Sequence, residues 1–248
     1  MLSNEPASAP SAPSRRRLAI TESHPILAIL GGTGALGTGL GRRWANAGLD
    51  VIIGSRAREK AAAAVQSLKG RVPEGRLRAM ENADAARAAD VAVLTVPFAH
   101  HDSTLAGLAD ALQGKILVDA TVPLVPPKVS RVQLPPEGSA AKAAQALLGD
   151  GVTVVSAFQN VAADKLAKED GPLDCDVLVS GDKREARETV IGLVAAAGLK
   201  GWHAGPLDNS VAAEALTSVL IFMNRHYRLD GAGLRITGAP APPEASDR

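Results

Sequence analysis

Aromatic rings are nearly missing from this sequence: two Trp, one Tyr and three Phe make up 2% of 248 residues. A core without rings must close on Val, Leu, Ile and Ala. That suits helices packed tightly on a parallel sheet, and it offers no stacking platform for single-stranded nucleic acid. The single cysteine, Cys175, excludes an internal disulfide and a zinc cage of cysteines. No apolar run approaches the roughly 20 residues that a membrane-spanning helix needs. Charge of one sign is lacking too. Twenty-seven Lys and Arg against 26 Asp and Glu leave a net charge of +1, so no overall field draws the chain to nucleic acid or to a membrane. These absences predict a cytoplasmic protein whose partners are small molecules.

What is present is alternation. Apolar, β-branched runs occur at 26–30, 51–53, 91–96, 116–118 and 152–155, with a weaker one at 76–80. Ala-rich segments of helical spacing lie between them, at 35–48, 57–69, 81–89, 99–112 and 139–148. Strand and helix in alternation mean βαβ units. The expected fold is α/β: a doubly wound parallel Rossmann sheet over 25–160, followed by a small C-terminal α/β lobe over 161–236. In the lobe, strands are expected at 176–180 and 200–203 and helices at 183–197 and 208–229. Residues 1–24, rich in Ser, Ala, Pro and Arg, and 237–248 read as polar tails. Ser14-Arg15-Arg16-Arg17-Leu18 has the look of a twin-arginine export signal. It lacks the apolar segment and small-residue cleavage site such a signal needs, so it reads as a solvated basic tail.

The first apolar run ends in Gly31-Gly32-Thr33-Gly34-Ala35-Leu36-Gly37, which holds G-x-G-x-x-G at Gly32, Gly34 and Gly37. Between a strand and a helix this is a dinucleotide-binding turn. The first glycine permits the bend, the second lets the backbone approach a pyrophosphate, and the third lets helix and strand pack closely. The start of the helix then offers unpaired N–H groups to the phosphates. About twenty residues on, the second strand ends where an NAD enzyme places a carboxylate for the ribose 2′-OH. Here the chain reads Gly54-Ser55-Arg56, with Lys60 one helical turn beyond. With no acid to repel a phosphate and a guanidinium able to fork onto one, the pocket is expected to take the 2′-phosphate of NADP. Thr33 could add a hydroxyl.

The stretches GGTGALG (31–37), IIGSRAREKA (52–61), VAVLTVPFAHH (91–101), TVVSAF (153–158) and AGPLDNS (204–210) together resemble the NADPH-dependent reductases of coenzyme F420, the 8-hydroxy-5-deazaflavin:NADPH oxidoreductases. The likeness runs from about residue 26 to 237. It implies hydride transfer between NADP(H) and the deazaflavin in a homodimer. Gly32, Thr33, Gly34, Leu36, Gly37, Ser55, Arg56 and Lys60 would hold NADP(H), with Thr95, Val96, Pro97, His100, Ser156 and Ala157 nearer the nicotinamide ribose and ring. The second ring would meet Gln159, Asn160, Gly205, Pro206, Leu207 and Asn209. Both cofactors carry their own hydride chemistry, so no catalytic nucleophile, triad or metal is expected.

The chain departs from the family's pattern at 119–127, at Phe158-Gln159-Asn160-Val161, where a histidine is common, and at the basic end of the last helix, Asn224-Arg225-His226-Tyr227-Arg228. On residues alone two other readings stay open. One is an NADPH-dependent reductase of another acceptor, such as a flavin, an imine or a metal chelate. The other is a protein that senses NADPH without turnover.

Overall fold

The computed structural model describes residues 24–168 and 171–238. Apart from His24, Thr237 and Gly238, the segments expected to be tails lie outside the described residues. The first half alternates: β1 (Leu27–Leu30), α1 (Ala35–Asn46), β2 (Val51–Ser55), α2 (Arg58–Ser67), β3 (Leu77–Glu81), α3 (Asn82–Ala88) and β4 (Val91–Leu94). Then come α4 (His101–Ala106), α5 (Ala109–Leu112), β5 (Ile116–Asp119), α6 (Ala140–Leu148) and β6 (Thr153–Ser156). The chain continues through α7 (Ala163–Lys168), β7 (Asp176–Gly181), α8 (Arg184–Ala196), β8 (Lys200–His203) and α9 (Ser210–Tyr227). Among the described residues no helix is long and apolar enough to cross a membrane.

The strands lie in the order β3-β2-β1-β4-β5-β6-β7-β8. The first six are parallel, and their order reverses between β1 and β4, which is the doubly wound arrangement with its switch point there. β1, β2 and β4 are buried along their whole length, because helices cover both faces. One core layer gathers Leu27, Ile29, Trp44, Ile53, Val93 and Val155; the other gathers Leu30, Ile52, Leu94, Leu105, Leu117 and Val154. Alternate residues of each strand point to opposite layers.

The C-terminal segment continues the same sheet. β7 pairs antiparallel with β6, and β8 pairs parallel with β7, giving eight strands in one sheet. Two further details differ from the sequence pattern. The helix expected over 99–112 is a 3-10 turn at Phe98–His100 followed by α4 and α5, broken at Gly107-Leu108, where glycine weakens the helix. The six-residue α7 was too short for a periodicity to show. It lies against α1 where Gly39 has no side chain: a Cβ there would come within 3.1 Å of the Ala167 nitrogen. Arg42 and Arg43, both buried in α1, donate to the Leu166 carbonyl, and Arg43 also donates to the carbonyls of Gly171 and Ala197.

Candidate functional site

The turn after β1 leaves the sheet at the switch point, and each glycine there has a different neighbour. Gly31 has φ +70, and a Cβ on it would lie 2.4 Å from Val96 Cγ1. A Cβ on Gly32 would meet the Ile29 carbonyl oxygen at 2.7 Å, and one on Gly37 would meet the Gly32 Cα at 2.5 Å. These three glycines are demanded by the protein's own packing. The positive φ falls on Gly31, one residue before the motif's first glycine. Gly34 is different. It caps α1 in an extended conformation that any residue adopts (φ −82, ψ 176), and a Cβ on it would meet nothing within 4 Å. The space beside Gly34 is open, as the approach of a pyrophosphate requires.

Beside this turn is a cavity of about 260 Å³ that brings together Thr33, Ser55, Arg56, Lys60, Val96, Pro97 and His100. No carboxylate lines it. Ser55 ends β2 and is buried, whereas Arg56, Lys60 and His100 are exposed and able to turn toward a ligand. A second cavity of about 280 Å³ shares Ser55, Arg56, Asn82, His100 and Thr104, and adds Glu81, Ala83, Ser103 and Leu108. Glu81 stands opposite Ser55 across the β2–β3 pair. Sequence spacing missed this wall, because β3 becomes the neighbour of β2 only in the sheet. Its Asn82 accepts the Gly31 N–H at 3.1 Å. Thr95, partly buried, bonds through its hydroxyl to the Leu30 carbonyl and holds β4's end against β1. Leu36 packs its side chain on the core.

The other residues singled out from sequence do not line this groove. Ser156, at the end of β6, and Ala157 after it are buried. Phe158 has φ 76, a left-handed conformation unusual for a bulky residue, and its buried ring packs edge-on against Trp44 at 6.0 Å. That turn sends the next two side chains inward. Gln159 donates to the Asp119 carbonyl (2.7 Å) and Ser156 Oγ (2.8 Å), and Asn160 donates to the Asp176 carbonyl (2.7 Å) and to Cys175 Sγ (3.4 Å). Both are buried, so neither presents its amide to a second ring as expected. Gly205, Pro206, Leu207 and Asn209 lie between β8 and α9, where Leu207 meets Gly149 and Asp150 ahead of β6, at the amino end of that strand. Since β7 runs antiparallel to β6, its end at Gly181 sits beside the middle of β6 and away from the switch point, and Gly181 donates to the Gly205 carbonyl. Leu207 is part of the core, and Asn209 donates to the Ala204 carbonyl. These residues precede α9 and do not line the cavity beside the glycine turn.

A buried polar network behind the groove was not visible in sequence. His101, at the start of α4, joins Asp119 at the end of β5 through Nε2 (2.8 Å) and Asp102 through Nδ1 (2.7 Å). Burial alone would push the imidazolium down. The hydrogen bond and charge of Asp119, then those of Asp102, outweigh it, and the His101 pKa is raised from 6.5 to about 9. The second oxygen of Asp119 accepts the Thr121 N–H. Glu214 of α9 accepts the N–H groups of Ala140 and Ala141 at the start of α6. Burial raises its carboxyl from 4.5 to about 7 despite those two donors. The two carboxylates thus tie down both ends of the irregular stretch 120–139. A histidine followed by an aspartate in sequence signals no such pairing; the partner is eighteen residues away.

Residues 26–123 match the family model described as "NADP oxidoreductase coenzyme F420-dependent". The chain is 42% identical over 219 residues to the F420-dependent NADP reductase of Methanocaldococcus jannaschii, covering 85% of this chain and 97% of that one. It is 39% identical over 221 residues to the enzyme of the same name from Methanothermobacter marburgensis, covering 86% and 99%. A solved structure from Arthrobacter sp. FB24, proposed to be an F420-dependent NADP reductase, superposes with a TM-score of 0.72 at 25% identity, covering 86% of this chain and 100% of that one. With the glycine turn, the acid-free basic cavity and a likeness that spans nearly the full length of these relatives, the chain belongs to the family of F420-dependent NADP reductases.

Proposed function

We propose that this protein binds NADP(H) across the carboxyl ends of β1, β2 and β4 and catalyses hydride transfer between its nicotinamide and coenzyme F420. The observation that carries the nucleotide assignment is the cavity where Thr33, Ser55, Arg56 and Lys60 meet with no carboxylate among its lining residues. A cation pair with two hydroxyls suits a ribose 2′-phosphate; a free 2′-OH would call for an acid. The turn from Gly32 to Gly37, including Leu36, would bring backbone N–H groups to the pyrophosphate. Val96, Pro97 and His100 would bound the nicotinamide ribose, with Thr95 holding their strand. The nicotinamide supplies the hydride chemistry, and the chain's part is proximity and orientation. The acceptor assignment rests on the family likeness, not on Gln159, Asn160 or 205–209.

A homodimer fits this reading. Val219 and Phe222 of α9, together with Tyr227, remain exposed along one helix, and a self-associating face would cover them. A cytoplasmic setting agrees with the single cysteine.

The test is a mixture of purified protein, NADPH and oxidised coenzyme F420. The deazaflavin's visible absorbance should bleach at a rate proportional to protein, and much faster with NADPH than with NADH. Tight NADPH binding without bleaching would overturn the acceptor; equal rates with NADH would overturn the nucleotide assignment.

A further inference from the structure

Asn82 sits where the ends of three strands meet. Its Oδ1 accepts the Gly31 N–H after β1 at 3.1 Å, and a Cβ on Gly54 in β2 would come within 2.8 Å of the same oxygen. Asn82 itself follows β3 directly. Since the Gly31 N–H can only donate, the atom facing it must be the amide oxygen, and the amide's orientation is settled by that bond. The NH2 is then left on the other branch, with two donors. Among the described residues no group accepts from it, and it is not sealed in the interior. Asn82 lines both cavities of the groove, alongside Ser55, Arg56, His100 and Thr104 in each. A neutral donor pair beside Arg56, with its oxygen engaged behind it, can serve an anionic or hydroxyl oxygen and nothing that donates.

We propose that Asn82 is a specificity-determining residue: its Oδ1 pins the dinucleotide turn through Gly31, and its Nδ2 donates to the 2′-phosphate of NADP(H). This rests on the nucleotide assignment above. One side chain thereby joins the turn that receives the pyrophosphate to the pocket that reads the 2′ position. It also explains why β2 carries Gly54 two residues before Arg56: any side chain there would displace the amide oxygen.

Asn82→Asp separates the two roles. The carboxylate keeps an oxygen for the Gly31 N–H and puts negative charge where the donors were. Calorimetric Kd values should rise about 10- to 100-fold for NADPH, the range of a lost hydrogen bond to a charged group, and change less than about threefold for NADH. Asn82→Ala should weaken both cofactors, since the turn loses its pin. Equal losses for NADPH and NADH in Asn82→Asp, or no loss in either, overturn the proposal while the NADP assignment stands. A wild-type protein that binds NADPH and NADH alike overturns both. A measurement on the wild-type protein guards against a variant that does not fold. The Asn82 side-chain amide resonance should shift on titration with adenosine 2′,5′-bisphosphate and stay still with adenosine 5′-monophosphate; no shift with the bisphosphate overturns the proposal.

Discussion

On the proposed nucleotide assignment Arg56 and Gly34 would act on different parts of the nucleotide, and their substitutions are separable. Arg56 is exposed and holds no structural bond among those of the described residues. Arg56→Ala should therefore leave the fold intact and weaken NADPH by roughly 1.5–3 kcal/mol, the worth of hydrogen bonds to a charged group, with NADH nearly unaffected. Equal losses in calorimetry would mean that Arg56 shapes the pocket without reading the phosphate. At Gly34 the protein has open space for a side chain and a conformation that tolerates one. Gly34→Val should keep its melting temperature yet lose most affinity for NADPH and NADH together, because the valine would occupy the pyrophosphate's approach. The same change at Gly37 would unfold the turn itself, since its Cβ would strike the Gly32 backbone at 2.5 Å.

At the scale of elements, the His101–Asp119 pair holds α4 to the end of β5, the strand next to β4. The folded pKa of His101 lies above its unfolded value, so the pair's stabilisation is whole below pH 6.5 and is lost as pH rises through about 9. Glu214 is also raised, so its contribution is whole below 4.5 and is lost as pH rises through about 7. Between pH 7 and 9 the His101 pair is therefore separable from Glu214. Asp119→Asn keeps the shape and removes the charge. At pH 6.5 it should cost on the order of 3 kcal/mol, as for a broken buried pair. The gap in urea midpoint between wild type and variant should then narrow as pH rises to 9. A constant gap across that range would mean that the pair contributes as a neutral hydrogen bond.

For the whole molecule, the antiparallel joint between β6 and β7 lets α9 pack back across α6 through Glu214 and leaves its outer face bare. Phe222 is 52% exposed and stacks on His226 at 5.6 Å. Light scattering at micromolar concentration should give about twice the 25.4 kDa chain mass. Phe222→Glu should return the mass of one chain, because a carboxylate cannot be buried unpaired in such a face. A wild-type monomer would refute the dimer.

The sequence by itself determined the parts whose physics is local. Runs such as Val51-Ile52-Ile53 specify buried strands, Ala-rich spacing specifies the helices between them, and the strand–turn–helix setting of Gly32, Gly34 and Gly37 marks the dinucleotide turn. That Ser55, Arg56 and Lys60 meet in one cavity was legible because they lie within one turn of a strand end whose place in the unit is set by chain order. What depends on distant partners was left to the tertiary structure. It decided that β7 joins β6 in antiparallel fashion and that Gln159 and Asn160 turn inward behind Phe158. It also decided that 205–209 lie at the amino end of β6, away from the glycine turn, and that Glu81 and Asn82 wall the groove. A two-residue spacing fixes which face a strand buries, but side-chain direction after a left-handed turn, and neighbours across a sheet, follow only from packing the whole chain around one core.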